Sequence, residues 1–122
     1  MPPKTILIAD DEQHLALLEQ KRLNLAGYQT HIAYDGKTCL ELINTHKPDL
    51  VLLDVDLPLI NGSDVLNTLQ KNPTTKNLPV IFLTGLTEKD TEQDTSYGTR
   101  QLFMSKPVDF EKLLVEIKKR IG

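Results

Sequence analysis

The sequence predicts an α/β fold in which a parallel sheet carries helices on both faces. Short apolar runs alternate with amphipathic stretches along the whole 122-residue chain, and this alternation is typical of βαβ units. Four of the apolar runs lead into polar groups, namely the carboxylates of Asp10 and Asp54, the hydroxyl of Thr84 and the ammonium of Lys106. Because the carboxyl ends of parallel strands share one edge of an open sheet, where ligands bind, we expect these groups to lie close together.

The apolar runs predict five strands and the stretches between them predict most of the helices. The strands cover residues at about 5–9, 29–33, 50–54, 80–84 and 102–105. The helices cover about 13–26, 36–46 and 63–71, and a last helix starts at the cap Asp109. The first helix carries a set of residues at helical spacing, namely Leu15, Leu18, Arg22 and Leu25.

The fourth helix is the weakest element of this prediction. It is expected between about 87 and 96, where the sequence has no large apolar residue. A helix without an apolar stripe has little to hold it against a sheet. We therefore expect residues 87–99 to be the least ordered part of the fold.

Length, charge and cysteine content limit the classes of protein to which the chain can belong. Residues 1–122 are expected to form a single domain with no output domain in the chain. A net charge of −3 argues against nucleic-acid binding. The single cysteine, Cys39, fits a reducing, cytoplasmic compartment. No apolar stretch approaches the length of a membrane span, so no membrane association is expected.

The strand-end residues include three carboxylates, Asp10, Asp11 and Asp54, which would repel one another if they lay close together. A bound Mg²⁺ would reverse that repulsion, and Mg²⁺ takes oxygen ligands while keeping several waters. We therefore predict Mg²⁺ as the cofactor. Its predicted ligands are Asp11 and Asp54 directly, Asp10 through water, and the backbone carbonyl of Asp56.

Asp54 has a second possible role as a nucleophile, because a carboxylate can form an acyl phosphate. The Lys106 ammonium, together with the metal, would neutralise charge on a phosphoryl group during its transfer. Thr84 could donate its hydroxyl to a phosphoryl oxygen. Taken singly, such residues are usually caps, turn residues or solvated side chains. Their occurrence together at four strand ends favours the functional interpretation.

The chain resembles the receiver domain of two-component response regulators over essentially its whole length. The resemblance is carried by the segments Ile6–Glu12, Pro48–Asp54 with Pro58 and Gly62, Phe82–Gly85, and Ser105–Pro107. It implies a flavodoxin-like fold with five parallel strands in the order 2-1-3-4-5. It also implies that Asp54 accepts a phosphoryl group from a histidine kinase or a histidine phosphotransfer protein, in a Mg²⁺-dependent reaction.

The resemblance also suggests roles for the other site residues. It makes Asp10 and Asp11 the acidic pair, Lys106 the phosphate-contacting lysine, and Thr84 the switch hydroxyl. Phe103 lies at the position of a switch aromatic, although burial alone would also explain a phenylalanine in a strand. The output surface implied is that of helix 4 and strand 5. It would act on an unknown downstream protein or a fused output domain.

Two other interpretations stay open from the sequence. Asp54 and Asp56 form an Asp-x-Asp pair like that of haloacid-dehalogenase-like phosphatases, in which the second aspartate is the general acid. Alternatively, the domain could be a docking module that is never phosphorylated. Under the preferred interpretation the chain is not an enzyme, apart from slow removal of its own phosphoryl group. The bond between Lys106 and Pro107 is predicted to be cis.

Overall fold

A central sheet and four helices make up the described part of the chain. The computed structural model describes residues 2–85, 91–95, 98–106 and 108–122, with only the main chain described at 91–95 and 98–101. The strands are β1 (Thr5–Ala9), β2 (Gln29–Ala33), β3 (Leu50–Asp54), β4 (Val80–Thr84), β5 (Thr91–Thr95) and β6 (Gly98–Ser105). The helices are α1 (Gln13–Leu25), α2 (Gly36–His46), α3 (Gly62–Lys71) and α4 (Phe110–Ile121). Pro107 and its predicted cis bond lie outside the described residues.

The sheet confirms the predicted α/β fold. Its strand order is β2-β1-β3-β4-β6-β5. The first five strands in that order pair in parallel. They correspond to the five predicted strands in the order 2-1-3-4-5, which is the flavodoxin-like arrangement. The central strands β3 and β4 are buried along their whole length, because helices cover both of their faces.

Two apolar clusters pack on opposite faces of the sheet. One cluster joins β1, β3 and β4 to α1 and α4 and includes Ile8, Leu23 and Leu113. The other lies on the side of α2 and α3 and includes Cys39 and Phe82. The sheet is therefore the middle of three layers, and its carboxyl edge is left between the helices as a place for a site.

Caps fix where three of the helices begin. The Asp35 side chain accepts a hydrogen bond from the backbone N–H of Thr38 at the start of α2. Asn61 caps α3 in the same way. Asp109 caps α4 as the sequence predicted, since its carboxylate accepts from the backbone N–H groups of Glu111 and Lys112. These bonds satisfy backbone donors that have no partner inside the helix.

The helix predicted over residues 87–96 is wrong for the residues that the structure describes there. Residues 91–95 form strand β5, which pairs antiparallel with β6 at the edge of the sheet. The segment lacks the apolar stripe that would hold a helix on the sheet. Pairing with β6 instead satisfies main-chain groups without apolar side chains. The rest of the predicted helix, at residues 87–90 and 96, lies outside the described residues.

The face that α1 presents to the core also differs from the predicted one. The buried residues of α1 are Ala16, Glu19 and Leu23, whereas Leu18 and Leu25 are exposed. Helical spacing alone did not fix the face, because leucines recur on more than one side of this helix. The buried stripe therefore includes a glutamate, which α1 turns toward the core.

Candidate phosphoacceptor and metal site

The four predicted strand-end groups lie at the same edge of the sheet. Asp10 follows β1, Asp54 ends β3, Thr84 ends β4, and Lys106 follows β6. Register brings them side by side, because Asp54 pairs with Leu83 of β4 and Thr84 pairs with Ser105 of β6. The prediction that these four groups share one edge of the sheet is therefore confirmed, as expected for parallel strands.

Three carboxylates form a compact acidic cluster at this edge. One ligand oxygen from each of Asp10, Asp11 and Asp54 lies within 4.8 Å of the other two. Asp10 and Asp54 are buried, and Asp11 is exposed. All three offer the hard oxygen ligands that Mg²⁺ prefers, and the exposed side leaves room for the waters that Mg²⁺ retains. The residues present therefore fit a magnesium ion.

The Lys106 ammonium bridges two of these carboxylates. Its Nζ atom lies 2.9 Å from Asp54 Oδ2 and 3.6 Å from Asp10 Oδ2. The backbone N–H of Lys106 also donates to the carbonyl of Thr84 at 2.9 Å, which anchors the residue to β4. Burial disfavours the ammonium, but the hydrogen bond to Asp54 and the nearby carboxylates outweigh it, so the pKa of Lys106 is raised. The group is therefore a fixed cation at the site.

Asp10 is the most deeply buried carboxylate of the cluster, with 1% of its surface exposed. One of its oxygens accepts a hydrogen bond from the backbone N–H of Glu12 at 2.9 Å. Burial raises the pKa of Asp10, and the charges of Asp54 and Asp11 add to this, against the opposing effects of the Glu12 N–H and Lys106. Its other oxygen, Oδ2, accepts no hydrogen bond from the described residues and has only the longer ion pair with Lys106 at 3.6 Å. A cation or its bound water would stabilise that oxygen.

The Asp54 carboxylate is held in a fixed orientation. Oδ1 accepts from the backbone N–H of Asp56 at 3.0 Å, and Oδ2 accepts from Lys106. The chain after Asp54 turns back tightly, so that the Gly62 N–H donates to the Val55 carbonyl at 2.9 Å. A side chain at Gly62 would come within 2.7 Å of the Asp54 carbonyl oxygen. Glycine is therefore required there to hold the loop that orients Asp54. The Asp56 side chain itself is exposed.

The two predicted switch residues lie in neighbouring strands. Thr84 is 5% exposed at the end of β4. Phe103 is partly buried in β6, where its ring stacks on Phe82 with centroids 4.8 Å apart and planes 12° from parallel. Thr84 thus lies at the acidic edge, whereas Phe103 lies further along the sheet against the cluster under α2 and α3.

Glu19 is a buried residue of this region that was not predicted from the sequence. Only 3% of its surface is exposed, and neither carboxylate oxygen has a hydrogen-bond partner among the described residues. Burial and the charges of Asp10 and Asp54, partly offset by Lys106, raise the pKa of Glu19 to about 7. A glutamate between Ala16 and Leu23 at helical spacing was the available signal, but it required the buried face of α1 to be known.

Comparison with known proteins identifies the family. The family model described as the response regulator receiver domain matches residues 6–118. The chain belongs to this family. The receiver domain is 29% identical over 120 residues to the polar-differentiation response regulator DivK of Brucella anthropi, covering 98% of each chain. Receiver domains are phosphoaccepting signalling domains, so the match leaves the haloacid-dehalogenase-like interpretation of Asp54 and Asp56 without support.

Solved structures agree with this assignment. The signal receiver domain of a signal transduction histidine kinase from Syntrophus aciditrophicus matches with a TM-score of 0.83 and 27% identity, over 97% of this chain and 89% of that one. The chemotaxis response regulator CheY4 of Vibrio cholerae matches with a TM-score of 0.84 over 98% and 99% of the two chains, and at 22% identity it supports the fold alone. None of the helices in the described part of the chain combines the length and apolar character needed to cross a membrane.

Proposed function

We propose that Asp54 is the phosphoacceptor of this receiver domain and takes its phosphoryl group from the histidine of a kinase or a phosphotransfer protein. The observation that carries the proposal is the position of its carboxylate. It lies between the Asp56 N–H and the Lys106 ammonium, beside Asp10 and Asp11. An anion that must meet an anionic phosphoryl group needs such fixed positive charge nearby.

The transfer is a displacement at phosphorus. An Asp54 carboxylate oxygen forms the new P–O bond, while the bond between phosphorus and the imidazole nitrogen of the donor breaks. The electron pair of the broken bond stays on that nitrogen, and the product on Asp54 is an acyl phosphate. Lys106 is within 2.9 Å of the acceptor carboxylate and neutralises charge on the phosphoryl oxygens as they approach.

The acidic cluster would hold Mg²⁺ through Asp11, Asp54 and the Asp56 carbonyl directly and through Asp10 by way of water. When bound, the ion supplies charge neutralisation for the phosphoryl oxygens. Asp10 is buried beside Asp54, and its negative charge would stabilise a cation bound at this position. Slow loss of the phosphoryl group to water is proposed as the only hydrolytic activity.

The signal is proposed to leave the site through Thr84 and Phe103. Thr84 ends the strand next to Asp54, and its hydroxyl is the group proposed to move toward the phosphoryl oxygens. Phe103 lies in β6, which pairs with both β4 and β5. The output surface is therefore proposed to be formed by β5 and β6 and to act on a downstream protein or a fused output domain. Nucleic-acid binding is not proposed for this domain, and the cytoplasm is its proposed location.

Acetyl phosphate with Mg²⁺ tests the acceptor assignment, because this small donor requires no partner protein. Intact-mass measurement should show one added phosphoryl group on the parent and none on Asp54→Ala. The modification should be labile to base. Asp64→Asn, a change at an exposed aspartate of α3, is the matched control and should be labelled like the parent. Phosphate retained by the Asp54→Ala variant would place the acceptor elsewhere.

A further inference from the structure

Glu19 is a buried acid for which the phosphoacceptor site has no assigned role. It occupies the middle of the stripe Ala16–Glu19–Leu23, which α1 turns toward the sheet. The residues on either side of it in this stripe, Ala16 and Leu23, belong to the apolar core cluster that also contains Ile8 of β1 and Leu113 of α4. An ionised carboxylate in such surroundings is strongly disfavoured unless it is paired. Both of its oxygens lack a hydrogen-bond partner within the described ranges, so burial favours the protonated acid.

The charges that act on Glu19 belong to the acidic site. They are Asp10 after β1, Asp54 at the end of β3 and Lys106 after β6. On its own helix the buried stripe contains no other titratable group, and α4 contributes Leu113 and Ile117 to the core. The charged Glu111 and Lys112 of α4 are exposed. The ionisation of Glu19 is therefore linked to the charge of the site more than to any other part of the described surroundings.

Glu19 acts on the site through space. It is not one of the three carboxylates that lie within 4.8 Å of one another, and it makes no hydrogen bond to Asp10 or Asp54. With the cluster empty, two nearby carboxylates oppose ionisation of Glu19 and one ammonium favours it. A divalent cation at the cluster would outweigh the two carboxylates, because it becomes the largest local charge.

We infer that Glu19 is a proton-releasing group coupled to the acidic cluster, which holds a proton while the cluster lacks a cation and passes it to solvent when a divalent cation binds. This inference rests on the magnesium site of the proposed function. Its consequence is that cation binding becomes sensitive to pH near neutrality. Glu19 thus affects the site only through its own charge, and it contacts neither the ion nor the phosphoryl group.

Calorimetric titration with MgCl₂ tests the coupling directly. The titration is run at pH 7 in two buffers with different heats of ionisation, such as PIPES and Tris, and the difference in heat gives the number of protons released. The parent should release up to about half a proton per ion at this pH. Glu19→Gln, which keeps the shape and removes the ionisation, should release none. Glu41→Gln, at an exposed position of α2, is the matched control and should behave like the parent.

Affinity and spectroscopy supply independent readouts. The Mg²⁺ affinity of the parent, followed by amide NMR shifts, should rise several-fold from pH 6 to pH 8, and this rise should be markedly smaller in Glu19→Gln. The carboxyl carbon-13 resonance of Glu19 should move toward its ionised position as Mg²⁺ is added. If Glu19→Gln does not fold, Glu19→Leu serves as the second neutral variant. The Glu19 carboxyl resonance of the parent protein tests the coupling without any variant.

The outcomes separate this inference from the proposed function. Equal proton release from parent and Glu19→Gln overturns the role of Glu19. So does Asp54-dependent Mg²⁺ binding that releases no proton from the parent. By contrast, Mg²⁺ binding that is as tight in Asp54→Asn as in the parent overturns the magnesium site itself. A parent that binds no Mg²⁺ overturns both.

Discussion

At the scale of single residues, the main feature of the site is that one ammonium group, that of Lys106, forms ion pairs with two carboxylates. Lys106 reaches Asp54 at 2.9 Å and Asp10 at 3.6 Å, and a quarter of its side chain is exposed. Without it, the acidic cluster would contain three carboxylates and no ion pair with another cationic side chain in the part of the chain that the structure describes. Lys106 therefore stabilises the empty site, and it also competes with any ion that uses the same oxygens.

Replacing Lys106 with glutamine should separate these two effects. Mg²⁺ affinity should rise several-fold, because the ion no longer competes with an ammonium for Asp54. Phosphorylation by acetyl phosphate should nevertheless slow, because the phosphoryl oxygens lose a fixed cation. Amide NMR titration measures the affinity, and intact mass against time measures the labelling. Lys71→Gln, at an exposed lysine of α3, is the control for the change of net charge. Weaker Mg²⁺ binding in Lys106→Gln would contradict this account.

At the scale of elements, the start of α2 supports the loop that carries the site. The Gly36 N–H donates to the Pro58 carbonyl at 3.1 Å. A Cβ atom at Gly36 would overlap the carbonyl group of Ile60. Helix α2 and the loop after β3 are thus in contact through their backbones, and this loop contains the Gly62 turn that orients Asp54.

The substitution Gly36→Ala should therefore destabilise the protein by about 1–3 kcal/mol, because main-chain atoms cannot move aside as a flexible side chain would. It should also slow the labelling of Asp54, since the loop must shift. Urea unfolding gives the free energy of unfolding. Gly85→Ala is the matched control, because no atom of the described residues lies within 4 Å of a Cβ atom at that position. A similar loss of stability in both variants would show that the close approach at Gly36 is not the cause.

At the scale of the whole molecule, the sequence predicted the five parallel strands, and the common edge at which their polar ends lie, better than it predicted the helices. The strand ends at Asp54 and Thr84 could be placed because buried parallel strands are continuous apolar runs. The order of the strands in the sheet came from the resemblance to receiver domains. Segment 91–95 could not be recognised as a strand, because all five of its residues are polar and it has neither an apolar run nor an alternation of apolar and polar residues. It pairs instead with β6, which follows it in the chain. The buried face of α1 was likewise fixed by tertiary packing, and this hid Glu19.

The burial of Glu19 predicts how the stability of the whole fold depends on pH. The pKa of its carboxyl is expected to lie near the ordinary value of 4.5 in the unfolded chain, and burial raises it to about 7 in the folded protein. The folded state therefore binds more protons between these values. The contribution of Glu19 protonation to the free energy of unfolding is fully present below pH 4.5 and is lost as the pH rises through 7. The expected total loss is roughly 3 kcal/mol.

Urea unfolding of the parent and of Glu19→Gln at pH 5 and pH 8, in the presence of EDTA, measures this contribution. From pH 5 to pH 8, the free energy of unfolding of the variant should rise by roughly 2 kcal/mol relative to that of the parent, because glutamine does not ionise. Glu41→Gln should show no such gain, since that side chain is exposed in the folded protein. If the free energies of unfolding of the parent and of Glu19→Gln change in parallel with pH, the result would mean that Glu19 reaches solvent when it is ionised. In that case the charge of the acidic site would not determine its protonation.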